Sequence, residues 1–66
     1  MIAKITYNGH TIYVPCTQAR PYKHIVRLWN VPETIYPDID ALLSHFSLFG
    51  NSILIENRED AVIKIE

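Results

Sequence analysis

Twelve residues near the start of the chain, AKITYNGHTIYV (3–14), leave little freedom in how they fold. Asn8-Gly9 is a strong short-range signal for a two-residue type I′ loop, because both central residues of that loop need positive φ. With these two as the loop, facing residues sum to 17, which pairs Tyr7 with His10, Ile5 with Ile12 and Ala3 with Val14. Those residues share one face, and Lys4, Thr6, Thr11 and Tyr13 take the other. The alternation on both strands agrees with the register set by the turn, so an antiparallel hairpin with one apolar face is expected. Pro15 and the following CTQARP are expected to end its second strand.

A lone hairpin is marginal in water and needs a cover for its apolar face. The segment PDIDALLSHFSLFG (37–50) reads as that cover, a helix capped by Asp38, with Asp40 near the positive end of its dipole and Gly50 as its stop. Ile39, Leu42, Leu43, Phe46 and Phe49 fall on one 3.6-residue stripe, about 16 Å long at 1.5 Å per residue. His45 lies near the expected helix end, where a cation interacts well with the dipole. NSILIENREDAVIKIE (51–66) reads as a closing hairpin, pairing Ile55 with Ile63 and Ile53 with Ile65 around a loop at Arg58, Glu59 and Asp60. The expected fold is a single α+β domain over residues 1–66. Its antiparallel sheet of four or five strands comes from N-terminal and C-terminal hairpins and packs on one main helix. A chain of 66 residues sits near the lower limit for an unaided apolar core. Dimerisation is one way to enlarge that core.

Between these elements lies ARPYKHIVRLWNVP (19–32), which gathers three permanent cations, a histidine, a tyrosine and a tryptophan. As a helix from Pro21 it spaces Tyr22, Ile25, Val26 and Trp29 helically and yields a β-grasp-like order. As a strand from His24 to Val31 it sets Ile25, Arg27, Trp29 and Val31 against Val26 and Leu28. The strand is favoured, because Pro32 follows at once and eight residues is an ordinary strand length.

VRLWNVP (26–32) resembles the first-strand motif of RNA-recognition-motif domains, aliphatic-x-aliphatic-x-Asn-aliphatic followed by proline. LSHFSLFG (43–50) is similar to the end of that family's first helix, and REDAVIKI (58–65) falls where its other signature strand would. The likeness spans residues 24–66 as strand, helix, strand, strand. Members stack bases on aromatic side chains of the two signature strands. Here Arg27 stands at the first aromatic position, and Asp60, Val62 and Ile65 stand at the others. The resemblance therefore implies a module without the stacking platform, of a kind suited to binding protein.

Formal charge divides sharply along the chain. Residues 1–32 carry Lys4, Arg20, Lys23 and Arg27 with no acid, a sum of +4. Residues 33–66 carry seven acids against Arg58 and Lys64, a sum of −5, which leaves the net −1. Such a dipolar chain suits an oppositely charged partner or a second copy. The single cysteine, Cys16, excludes an internal disulfide. The first residues do not resemble a secretory leader, and no run approaches the roughly 20 apolar residues of a membrane span. A cytoplasmic, reducing location is the expectation, with no membrane association.

Little in the chain suggests catalysis. Cys16 and His10 share a strand face but lie six residues apart, about 20 Å at 3.3 Å per residue. His10, Cys16, His24 and His45 share none of the short spacings of a zinc site. The two glycines are taken by a turn and a helix stop, which leaves no phosphate loop. No catalytic residue, metal or cofactor is expected.

The candidate binding residues are Arg20, Tyr22, Lys23, Arg27 and Trp29, the chain's basic-aromatic cluster, together with Tyr13. Arg27 and Trp29 share a strand face, where a guanidinium can lie against an indole. A Tyr13–Tyr22–Trp29 patch is one form such a surface could take. The favoured expectation is a small non-enzymatic regulatory protein that binds a protein partner or a second copy of itself. A viral or phage-type modulator of a host complex fits that description. The alternative is a single-stranded nucleic-acid module using residues 20–29, although its basic footprint is small for phosphate neutralisation.

Overall fold

The computed structural model describes residues 1–44, 46–56 and 60–66. These form seven strands, a 3₁₀ turn and one short helix: β1 (Ile2–Tyr7), β2 (His10–Pro15), β3 (Gln18–Tyr22), β4 (Ile25–Trp29), the turn Glu33–Ile35, α1 (Tyr36–Leu43), β5 (Ser47–Phe49), β6 (Ser52–Glu56) and β7 (Ala61–Ile65). The strands make two antiparallel sheets, ordered β2-β1-β7 and β3-β4-β6-β5. The protein is thus a strand-rich α+β fold with two sheets, where one sheet of four or five strands was expected.

The first hairpin adopts the register its turn dictates. Tyr7 faces His10, Ile5 faces Ile12 and Ala3 faces Val14. Asn8 and Gly9 have φ of 54° and 82°, the double positive φ that a type I′ loop requires. Ala3, Ile5 and Val14 are fully buried on the inner face.

The chain does not pause after β2. The Cys16 amide donates to the Met1 carbonyl 3.0 Å away, extending the first sheet, and the next amide, Thr17, donates to Trp29 O at 3.0 Å in the second. One nearly continuous strand therefore turns a corner between the sheets at Cys16–Thr17. The second strand ends at Pro15, as expected, but the segment after it was not expected to be a strand: from Gln18 onward it is the edge strand β3. Segment 25–29 is a strand, as favoured, and the helical alternative does not form.

The closing hairpin also does not form. β6 lies between β4 and β5, with Ile53 facing Leu28 on one side and Leu48 on the other. Both its edges are taken, so β7 crosses to the first sheet, where Ile63 faces Ile5 and Ile65 faces Ala3. The loop expected at Arg58 and Glu59 lies outside the described residues, as does His45.

The helix is shorter than its apolar stripe suggested. It is entered directly from the 3₁₀ turn, so its cap position is Ile35 and Asp38 stands in the first turn with no capping hydrogen bond. It ends at Ser44, whose φ of 71° is left-handed and whose amide donates to Asp40 O at 2.8 Å. Ile39 and Leu43 are buried, and Leu42 and Phe46 pack partly against the core. Phe49 belongs instead to β5. Gly50 is no helix stop: at φ 62° it opens the two-residue turn Gly50–Asn51, the position a type II′ loop reserves for glycine. Residues from both sheets and the helix join in one apolar cluster around Ile5, Leu28, Ile39, Ile53 and Ile55.

Candidate binding face

The pleat of the second sheet decides which side chains face away from the core. Ala19, Val26, Leu28, Ile53 and Ile55 point inward, where Leu28 and Ile55 are fully buried. The alternate positions point outward in three rows. Tyr22 faces Ile25, which faces Glu56; Arg20 faces Arg27, which faces Leu54 and then Ser47; Gln18 faces Trp29, which faces Ser52 and then Phe49.

Arg27 organises the centre of this surface. Its guanidinium carbon lies 4.5 Å from the Trp29 ring centroid and 4.8 Å from that of Phe49. Both are within the range of a cation–π contact. Its Nε donates to Ser52 Oγ at 2.8 Å, and Ser52 Oγ donates to Phe49 O at 2.6 Å. The guanidinium thus reaches across Ser52 and bridges β4 to the edge strand β5. Ser52 is 2% exposed, yet its hydroxyl is satisfied both as acceptor and as donor.

At one end of the same face is a depression of about 350 Å³ lined by His24, Ile25, Phe46, Ser47, Leu54 and Glu56. Ile25 and Leu54 supply apolar walls, and Glu56 and His24 give them a polar rim. Phe46 is steadied by an edge-on contact with Tyr36, at 5.2 Å between centroids. A larger open groove of about 550 Å³ runs along the seam between the first hairpin and the helix, with Tyr7, His10 and Ile12 on one side and Asp38 and Leu42 on the other. It lacks the basic-aromatic arrangement.

Four of the six candidate residues, Arg20, Tyr22, Arg27 and Trp29, share the outer face of the second sheet. Trp29 is partly buried there, beside the Arg27 guanidinium, and does not enter the core. Lys23 sits next to that face in the two-residue β3–β4 turn, exposed. Tyr13 is elsewhere. It is 57% exposed on the outer face of the first sheet, opposite Lys4, which in turn faces Lys64. The corner at Cys16–Thr17 separates the two surfaces, so Tyr13, Tyr22 and Trp29 form no single patch. Phe49 and Ser52 are the site residues that sequence reasoning missed. Their signal was present in SLFGNSIL (47–54): a Gly-Asn pair between alternating segments is a hairpin signature.

Of the three segments that carry the family resemblance, the two matched to its signature strands contribute β4 and β7, which lie in different sheets. Cys16 is buried, and burial pushes its thiol above the ordinary value of 9.0 while the N-terminal ammonium pulls the other way. Such a thiol is a poor nucleophile at neutral pH. Among the described residues no group of three His, Cys, Asp or Glu side chains could hold a metal ion. No helix among them is long and apolar enough to cross a membrane; this says nothing of a β-barrel. No protein-family profile, curated protein or solved structure matches the chain.

Proposed function

We propose that this protein is a non-enzymatic binding module that engages a protein partner through the outer face of its four-stranded sheet. The observation that supports this reading most is the Arg27 bridge over Trp29 and Phe49, set beside exposed Tyr22 and Ile25. Aromatic residues and arginine are the types enriched where proteins meet, and lysine is depleted there. The face also offers the aliphatic depression at Ile25 and Leu54, which suits a side chain better than a phosphate. The partner is another protein or a second copy of the chain, which sedimentation equilibrium distinguishes. A reducing, cytoplasmic setting belongs to the proposal and draws support from the lone free cysteine.

The test compares proteins retained from nuclease-treated extract by the unaltered protein with those retained by Arg27→Ala, Phe49→Ala and, on the opposite sheet, Lys64→Ala. A partner kept by Lys64→Ala and weakened about 30-fold or more by either face variant, the scale of an interface hot spot, carries the proposal. Equal retention by all four sinks it.

One observation favours a second reading. Phe49 and Tyr22 are 59% and 47% exposed on a sheet that also presents Arg20 and Arg27, the combination used by single-stranded nucleic-acid binders. Titrating Trp29 fluorescence with short single-stranded RNA and DNA at low and moderate salt tests it. Saturable quenching that weakens steeply with salt supports that reading, and an unchanged signal removes it.

A further inference from the structure

The centre of the binding face has an electrostatic feature that folding alone does not explain. Arg20 and Arg27 stand directly opposite each other on adjacent strands. Like charges in that relation destabilise a sheet. No carboxylate among the described residues pairs with either of them. Glu56, the one acid in the outward rows, faces Ile25 at the far side of the depression. The only hydrogen bond that Arg27 makes among the described residues comes from Nε. Its two terminal nitrogens are therefore left as donors on a guanidinium already held in place by Ser52 and two rings. A fixed planar fork with terminal donors unused among the described residues, on a strand whose neighbour carries a second arginine in register, matches the geometry of a carboxylate.

The apolar depression lies next to this pair along the same strand. Ile25 is two residues from Arg27, and Leu54 is directly opposite Arg27. Two residues of an extended chain span about 6–7 Å, and side chains at i and i+2 point the same way. An extended peptide lying along β4 can therefore set one side chain over the arginines and the next outward-matching one into the depression.

Resting on the protein-binding reading above, we propose that the partner presents an extended acidic-aliphatic segment. In it an Asp or Glu stands two residues from a Leu, Ile, Val or Met. The carboxylate accepts from Arg20 and from the Arg27 terminal nitrogens, and the aliphatic side chain fills the depression between Ile25 and Leu54. Charge complementarity decides the occupant: the face carries two guanidinium groups that pair with no carboxylate among the described residues, and its aliphatic recess has no use for a phosphodiester chain.

The experiment is a selection of displayed random 12-residue peptides on the immobilised full chain. Enriched peptides are then measured against the unaltered protein, Arg20→Glu and Phe49→Ala, with circular dichroism confirming that each variant is folded. Arg20 is exposed, so its reversal tests charge without opening the core. The expected result is enrichment of Asp or Glu two positions from an aliphatic residue, with binding weakened about tenfold or more by Arg20→Glu, as for reversal of a charge at an interface. Replacing the acid of a selected peptide with its amide should cause a similar loss. Peptides that depend on Phe49 but show no acidic-aliphatic spacing would overturn this inference and leave the protein-binding reading standing. Enrichment that neither variant affects, or no enrichment, would overturn both. Saturable, salt-sensitive quenching of Trp29 by a 12-nucleotide oligouridylate that is lost in Arg20→Glu would reassign the arginine pair to phosphate.

Discussion

Arg27 touches a hydroxyl on β6 and two aromatic rings, one on its own strand and one on β5. Its removal should therefore act on structure as well as on binding. Arg27→Ala is expected to cost about 1–2 kcal/mol in urea unfolding, the sum of a hydrogen bond and modest cation–π contacts. It should also alter Trp29 emission in the folded state. Arg27→Lys should recover only part of the loss, because a point charge cannot keep the Nε bond and lie flat against the rings. Cys16 behaves differently. Burial raises its thiol pKa in the folded state, so as pH rises the unfolded chain loses its proton first. The stability this contributes is complete below the ordinary value of 9.0 and is lost as pH climbs through the folded pKa. Urea midpoints measured from pH 8 to 10 should fall more steeply for the unaltered protein than for Cys16→Ala. At neutral pH the folded thiol should react with a disulfide reagent far more slowly than the unfolded one.

Two turns set the registers of their hairpins. Gly9 and Gly50 both have positive φ, and a Cβ built on either would meet nothing within 4 Å. Any cost of adding a side chain there is therefore conformational. Gly9→Ala and Gly50→Ala should each destabilise by about 1 kcal/mol, with no change in the cooperativity of unfolding. Gly50→Ala should in addition weaken the proposed binding at the outer face, because its turn delivers Phe49. The Asn8-Gly9 signal was legible because everything it needs is contained in four consecutive residues. The β3–β4 hairpin was not legible in the same way. Its loop residues Lys23 and His24 use no positive φ and carry no glycine or asparagine signature. The β5–β6 hairpin had its signature at Gly50-Asn51, but the helical stripe running from Ile39 to Phe49 competed for the same residues. The physical outcome follows from Ser44, whose left-handed backbone ends the helix and releases Ser47–Phe49 to pair with β6.

At the scale of the whole molecule, two sheets and one helix share a single apolar cluster, so damage to one layer should be felt by all. Leu28 is fully buried between Ala19 and Ile53. Leu28→Ala should cost about 2–5 kcal/mol. Against a total of about 3–10 kcal/mol for a chain this short, that is enough to leave a large unfolded fraction at 37 °C, visible by circular dichroism. The division of charge along the sequence acquires its meaning only here, where folding gathers Arg20 and Arg27 on one face and leaves Glu33, Asp38 and Asp40 on the 3₁₀ turn and helix. For residues 25–29 the sequence favoured a strand and left a helix open, and the structure decided for the strand. What the sequence by itself determined was local: the register of the first hairpin and which helix residues are apolar. Turn chemistry and short-range alternation specify these without reference to the rest of the chain. What only the tertiary structure decided was partnership. β7 pairs with β1 because β6 has no free edge, β2 runs into β3 across the corner, and Phe49 meets Arg27 instead of the core. A strand's neighbours depend on which edges remain unpaired once the others have been taken, and no window of consecutive residues contains that information.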